Sequence, residues 1–153
     1  MRINVIPAYD QLDEVRDLFQ EYQKSLGIDL CFQNYDEELK SLPGKYAQPD
    51  GRLYLITIEE EIAGCIALRR FDETRCEMKR LYIRPKYRGH HCGQILVDKV
   101  IQEAKMIGYE EMVLDTLSSL TSAVSLYKRN GFIEVDSYYD NPLKDVLYFK
   151  RKL

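Results

Sequence analysis

Arg88-Gly89-His90-His91-Cys92-Gly93 gathers a guanidinium, two glycines and two imidazoles into one short stretch, with Lys86 just ahead of it. These residue types suit a phosphate. Glycine lets the backbone approach an anion closely, and Arg88 and Lys86 supply positive charge, the arginine as a fork matched to phosphate oxygens. A helix that opens inside such a stretch adds unpaired N–H groups and the positive end of its macrodipole. The elements on either side are legible. Glu77-Met78-Lys79-Arg80-Leu81-Tyr82-Ile83 reads as a strand, ended by Pro85, which has no N–H to give to a ladder. From Gly93 onward Ile95, Leu96, Val97, Val100, Ile101 and Ala104 recur at helical spacing, and Gly108 closes the run. A strand, a basic loop with glycines and a helix therefore follow in order.

The bulk numbers bound what surrounds this loop. A length of 153 residues suits one domain, 1–153, with a single core. A formal net charge of -3 argues against nucleic acid, so the basic residues from Lys79 to Arg88 are better explained by a local phosphate. No apolar run approaches the length of a bilayer span and the N-terminus lacks a signal-peptide core, which predicts a cytoplasmic protein without a membrane partner. Cys31, Cys65, Cys76 and Cys92 show no Cys-x-x-Cys spacing and no clustered histidines, so they read as small buried thiols in a reducing cytosol, with no metal expected. Cys92 also has a second reading as a reactive thiol, because a helix N-terminus lowers a thiol pKa.

Elsewhere the punctuation is regular. Ile3-Asn4-Val5-Ile6 is a short strand stopped by Pro7. Asp10 can cap a helix with Leu12, Val15, Leu18, Phe19, Tyr22 and Leu26 on its apolar face and Gly27 as its stop. A shorter helix runs from about Tyr35 to Leu42, ended by Pro43-Gly44. Leu53 to Ile58 and Ile62 to Leu68 read as antiparallel strands joined at Glu59-Glu60-Glu61, with Gly64 marking a bulge or a close backbone approach. Met112-Val113-Leu114 is a strand parallel to the central one. Asp115 to Ser119 reads as a polar loop at its C-terminal end, where open α/β sheets place ligands. Thr121 or Ser122 can cap a helix carrying Ala123, Val124, Leu126 and Tyr127, ended by Gly131. Phe132 to Val135 and Val146 to Phe149 read as a final hairpin.

Arg88-x-x-His91-x-Gly93 resembles the Arg/Gln-x-x-Gly-x-Gly/Ala pyrophosphate loop of the GNAT superfamily, the acetyl-CoA-dependent N-acetyltransferases. Met78 to Ile83 resembles the family's central strand, and Ala123-x-x-Leu126-Tyr127-x-x-x-Gly131-Phe132 its last helix and the turn beyond. The three matches cover roughly the second half of the chain in the family's order. The resemblance implies a mixed α/β fold: a mostly antiparallel seven-stranded sheet, about four flanking helices and a V-shaped splay between the fourth and fifth strands. It implies acetyl-CoA as cosubstrate and an amine as acceptor, and it allows a homodimer. One residue departs from the pattern. His91 stands where the family usually has glycine; if the position needs a positive φ, His tolerates it better than most residues, at some cost. His90 and His91 read either as exposed loop residues or as proton carriers.

The resemblance also assigns roles. The backbone of Leu81, Tyr82 and Ile83 would pair with the pantetheine arm as an added strand, one N–H polarising the thioester carbonyl. Arg88, Gly89, His90, His91, Cys92, Gly93 and Gln94 would hold the pyrophosphate, and Ser125 and Lys128 could reach the cofactor. Among 12 tyrosines, Tyr127 is singled out by its Leu-Tyr-x-x-x-Gly-Phe setting as the donor to the leaving sulfur, a role open to a phenol because it stays protonated at neutral pH. An alkylammonium must lose a proton before it attacks. Glu77 is the candidate base, with a plain surface carboxylate as the other reading. The first two helices would wall the acceptor cleft; Phe32, Tyr35 and Tyr46 are candidate wall residues or core. Three functions follow: acetylation of a small amine, acetylation of protein N-termini or lysines, or a non-catalytic acyl-CoA sensor.

Overall fold

A computed structural model describes residues 1–27 and 34–153. Cys31 and Phe32 lie outside the described residues. Seven strands, β1 (Ile3–Pro7), β2 (Arg52–Ile58), β3 (Glu61–Arg70), β4 (Arg75–Ile83), β5 (Glu111–Leu117), β6 (Ile133–Val135) and β7 (Val146–Lys152), form one sheet in the order β1-β2-β3-β4-β5-β7-β6. Every neighbouring pair is antiparallel except β4 with β5. Among the described residues four α-helices cover it: α1 (Leu12–Leu26), α2 (Tyr35–Ser41), α3 (Cys92–Ile107) and α4 (Thr121–Arg129). This is the mixed, mostly antiparallel architecture that the GNAT resemblance implies.

The sheet is buried on both faces, and β2 shows why its sequence is apolar without a break. Leu53 and Leu55 point to the layer that holds Val15, Leu18 and Phe19 of α1. Tyr54 and Ile56, one residue out of phase, point to Leu96, Val97, Val100 and Ala104 of α3. Strand side chains alternate between faces, so a strand with a helix on either side has no solvent-facing position. Full burial of one such aliphatic side chain contributes about 1.5–3 kcal/mol, and the two layers together fix the helices against the sheet. Cys65, Cys76 and Cys92 are buried free thiols within these layers. Among the described residues no helix is long and apolar enough to cross a membrane.

Two irregularities in β3 and β4 shape what lies above them. A Cβ on Gly64 would stand 2.3 Å from the Tyr82 carbonyl oxygen, so the close approach read from the sequence is real. In β4 the register slips: Cys65 faces Tyr82, but Ala67 faces Lys79, which leaves one extra residue in β4. Arg80 absorbs it with φ 62, the mark of a β-bulge. Met78 keeps to the α3 side, while Arg80 reaches α2 and Tyr82 packs on the α1 side.

β4 and β5 pair at only three positions, Arg75 with Glu111, Cys76 with Met112 and Glu77 with Val113. Beyond them β5 follows β7 instead, paired all the way from Glu111–Lys152 to Leu117–Val146. The implied splay therefore opens after Glu77. That pairing also makes Asp115 to Leu117 strand rather than the expected loop, because β7 satisfies their backbone groups. The final hairpin is present, with β7 inserted between β5 and β6. Helix starts differ from expectation in detail: Gln11 and Leu120 occupy the cap positions of α1 and α4, neither with a side-chain cap.

Gly64→Ala should lower stability by about 1–3 kcal/mol, the usual cost of forcing an atom into filled space. Chemical denaturation checks this; an unchanged midpoint would mean that β3 and β4 can move apart there.

Candidate active site

The loop between β4 and α3 is built as its residues imply. Pro85–Tyr87 makes a tight turn, Arg88 is extended, and His91 sits at the cap position of α3 with φ 62. The position usually held by glycine in the family thus does take a left-handed conformation, and His bears it. The α3 N-terminus carries no side-chain cap, so its first N–H groups face outward without that partner. Arg88 donates from Nε to the Ile83 carbonyl (3.1 Å), which pins the guanidinium beside the strand end. Gly93 is needed for packing: a Cβ there would meet Leu126 of α4 at 3.2 Å.

Two of the loop's side chains are not where a ligand could use them. Cys92 is 2% exposed within the core, and burial pushes its thiol up, not down. Gln94 is tied to Asn130 and Asp98, its amide nitrogen 2.8 and 2.7 Å from their oxygens. For both residues only the backbone remains available. Gly89 and His91 are exposed and His90 half-buried.

A cavity of about 420 Å³ starts at this loop. Arg88 and Gly93 stand at one end, Leu81, Tyr82 and Ile83 along one side, Tyr22 and Leu26 of α1 over it, and Ser119 to Ala123 opposite. Because β5 has already turned away, the β5-facing edge of β4 has no strand among the described residues paired to it from Lys79 to Ile83. An unpaired strand edge beside an apolar slot can take an extended ligand as an added strand. Ser125 and Lys128 are exposed on α4 and do not line this cavity.

Tyr127 lies one turn below Ala123 on α4, buried at 6% exposure, its ring edge-on to Phe132 at 6.0 Å and tilted on Phe149 at 6.3 Å. Its hydroxyl donates no hydrogen bond to a described residue. Burial first, then Tyr22 and Asp115, push its phenol well above the ordinary range. It therefore holds its proton throughout neutral pH.

Further along β4, on its α1/α2 side, a second cavity of about 220 Å³ is lined by Arg69, Glu77, Lys79, Lys45 and Tyr139, among others. Glu77 is no surface group: it is 1% exposed. One oxygen accepts from Arg69 Nε at 2.8 Å and lies 3.8 Å from Lys79 Nζ; the other accepts from the Tyr138 hydroxyl at 2.7 Å. Burial opposes its charge, but Lys79 and Arg69, with hydrogen bonds from Tyr138 and Arg69, outweigh it and hold Glu77 below the usual carboxylate range. Burial, with Arg80 beside it, brings Lys79 down to about 8 against the pull of Glu77. Phe71, Tyr139 and Tyr148 surround the Tyr138 ring with centroids 5.2, 5.3 and 5.4 Å away. Tyr139 donates to Asp115, and the Asn141 amide donates to the Tyr139 hydroxyl at 2.7 Å.

Asp115 on β5 accepts the hydroxyl of Tyr139, which lines the second cavity. Sequence reading missed Arg69, Lys45 and Glu38, and named Asp115 only as part of a ligand-side loop. Glu38 grips Arg80 through both oxygens at 2.9 and 3.0 Å, and Lys45 lies 3.2 Å from the same carboxylate. Tyr35 and Tyr46 are core, at 1% and 0% exposure; Tyr35 lies under the Arg80 guanidinium at 4.9 Å. No group of three or more metal-ligating side chains occurs among the described residues.

Comparison with known proteins agrees with this geometry. Residues 12–132 match the model of the acetyltransferase (GNAT) family. An uncharacterised N-acetyltransferase of Schizosaccharomyces pombe is 42% identical over 99% of this chain and 94% of its own. A GNAT-family acetyltransferase of Staphylococcus aureus superposes with a TM-score of 0.81 at 26% identity, over 99% of both chains. The PaiA N-acetyltransferase of Thermoplasma acidophilum, solved with coenzyme A, shares the fold with a TM-score of 0.76 at 16% identity over the full length of each. The chain belongs to the GNAT family of acetyltransferases and is an acyltransferase.

Glu38 and Glu77 are both held below their ordinary 4.5 in the folded protein. Their charge therefore favours folding fully above about pH 4.5 and ceases to do so as they take up protons at lower pH. Denaturation midpoints should hold from neutrality to about pH 4.5 and fall below it; midpoints flat down to pH 3 would contradict the pairing described.

Proposed function

We propose that the chain transfers the acetyl group of acetyl-CoA to a primary amine of a small molecule, by direct attack while both are bound. The observation that carries this is the 420 Å³ slot, which has the uncapped α3 N-terminus and Arg88 at one end and the unpaired edge of β4 along its side. Those features fit the cofactor part by part. The N–H groups of the first turn of α3 and the Arg88 fork suit the pyrophosphate. The backbone of Leu81 to Ile83 suits the amide-bearing arm, and the apolar lining suits its methylenes. Bound there, acetyl-CoA supplies an acyl carbon and a thiol leaving group.

The chain's own residues supply positioning and protons. A backbone N–H of the β4 edge polarises the carbonyl. Tyr127, protonated and with a hydroxyl not given to any described residue, supplies a proton or hydrogen bond to the sulfur. Glu77, ionised at neutral pH, takes the proton of the amine, with the Tyr138 hydroxyl already bound to it. A small acceptor is supported by the size of the second cavity, about 220 Å³, below the roughly 300–1,000 Å³ of most ligand pockets. Tyr138 and Tyr139, standing over it, oppose an extended peptide. Gly89, His90, His91, Cys92 and Gln94 contribute through the backbone of the phosphate loop, while the exposed Ser125 and Lys128 lie within reach only of the outer part of the cofactor.

Tyr127→Phe should lower kcat by roughly 10²-fold or more, with the Kd for acetyl-CoA from calorimetry unchanged. Equal kcat would remove Tyr127 from proton delivery. Glu77→Gln should also depress kcat. Because Glu77 is held low, the acidic limb that it controls in the wild-type kcat profile lies below about pH 4.5. A limb that survives the substitution means that another group is the base.

A further inference from the structure

A buried carboxylate that takes up and releases a proton needs partners that suit both of its states. The two oxygens of Glu77 are served differently. Oε1 accepts from Arg69 Nε at 2.8 Å and faces Lys79 Nζ at 3.8 Å, and a guanidinium and an ammonium can only donate. Oε2 accepts from the Tyr138 hydroxyl at 2.7 Å, and a phenol can donate or accept. A proton placed on Oε1 would confront two donors. Placed on Oε2, it meets the oxygen of a hydroxyl that has only to rotate. Among the described residues, then, Tyr138 is the partner that satisfies Glu77 both charged and neutral.

The fold fixes that hydroxyl in place. Tyr138 belongs to the segment between β6 and β7, residues 136–145, which reaches both strands where they separate. Tyr138 bonds to Glu77, in the last pair of β4 with β5, and Tyr139 donates to Asp115, two residues beyond Val113 on β5. The Tyr138 ring lies edge-on to Phe71 and Tyr148 at 5.2 and 5.4 Å and tilted on Tyr139 at 5.3 Å. Phe71 in turn carries the Arg69 guanidinium at 5.2 Å, so the holders of both Glu77 oxygens pack against one ring. Burial first, then the charge of Glu77, push the Tyr138 phenol well above the ordinary range; the shared proton rests on Tyr138 and the charge on Glu77. The described groups that act on this charge are Lys79 on β4, Arg69 on β3 and Tyr138, with the neutral Cys76, Tyr46 and Tyr139 as further neighbours.

We propose that Tyr138 is a positioning residue for acetyl transfer: it directs the proton of the amine to Oε2 of Glu77 and keeps a hydrogen bond to that oxygen before and after the proton arrives. This rests on the reading of Glu77 as the base and names the atom that does the work. In the step an N–H bond of the ammonium breaks and an O–H bond forms at Oε2. The electron pair left on nitrogen makes the bond to the acyl carbon, and the Tyr138 hydroxyl turns from donor to acceptor.

The test uses Tyr138→Phe, which keeps the ring and removes the hydroxyl, with Tyr148→Phe as a control from the same aromatic cluster. Two quantities are read on the full chain. One is the titration of the Glu77 carboxyl carbon, followed by NMR with isotope-labelled glutamate. The other is the acidic limb of kcat for thiol release from acetyl-CoA, with the best acceptor from a panel of ethylamine, benzylamine and the amino acids. In Tyr138→Phe both should move up by about one pH unit, the weight of one hydrogen bond to a charged group, with KM for acetyl-CoA unchanged. Upward is the required sign, because the lost bond favoured the charged form while burial, which opposes it, stays. Tyr148→Phe should move neither. A Glu77 titration that stays put in Tyr138→Phe, or that shifts equally in Tyr148→Phe, would overturn the role of the Tyr138 hydroxyl and leave Glu77 as base to be judged by its own substitution. A titration that moves while the limb stays would overturn Glu77 as the base, and this inference with it, and leave the cofactor slot standing. Thiol release with no member of the panel would overturn acetylation of a small amine itself, together with the role inferred for Tyr138.

Discussion

β4 is bonded to β5 at three positions and to β3 along most of its length. That asymmetry is the constraint from which the rest follows. Had the two strands stayed paired beyond Glu77 and Val113, the backbone edge of Leu81 to Ile83 would be spent on the sheet and no slot would exist between β4 and α4. β5 instead stays in register with β7 alone through Leu117. A strand edge left open inside a protein is ordinarily a liability; here helices α1 and α4 flank it, so the opening becomes a ligand-sized space rather than a site for another sheet.

The bulge at Arg80 is the second half of the same device. An extra residue in β4 changes which face the later side chains occupy, and the left-handed Arg80 needs support to stay there. It is supported from α2 by the two-oxygen grip of Glu38 and from below by the ring of Tyr35. Removing one partner of such a buried pair typically costs about 3–5 kcal/mol, because the other charge is left uncompensated. The pair therefore links α2, the bulge and the charge of the second cavity. The Leu81–Ile83 end of β4 borders an apolar slot ending in a phosphate-type loop, and its Glu77–Lys79 end borders a small charged chamber.

Much of this was readable from local pattern. The apolar face of α3, its stop at Gly108 and the tight contact at Gly64 follow from spacing and residue type, while the φ 62 of His91 matches what the resemblance to the family's glycine-bearing loop allowed. The Leu-Tyr-x-x-x-Gly-Phe setting singles out Tyr127 among the tyrosines, and the structure places it buried in α4. What was not readable depends on residues far apart in the chain. Lys45, Arg69 and Lys79 look like ordinary surface lysines and arginines until the sheet brings them round one cavity. Asp115 to Leu117 reads as loop because its polar residues resemble a turn, and only the pairing partner on β7 makes it strand. Glu77 illustrates the limit best: its position could be guessed, but its burial under Tyr138 and its two-sided pairing could not. Cys92 shows the reverse, a residue in a chemically suggestive place whose side chain simply faces the core.

The most direct measurement is a titration of the isotope-labelled protein with coenzyme A, followed by amide resonances in two-dimensional NMR. The expected result is saturable binding with the largest shifts at the amides of Leu81 to Ile83 and of Arg88 to Gln94, and with little change at β1 or β6. Shifts centred away from the splay and the α3 N-terminus, or no saturable shifts at millimolar coenzyme A, would contradict the proposal that the gap between β4 and β5 holds the cofactor.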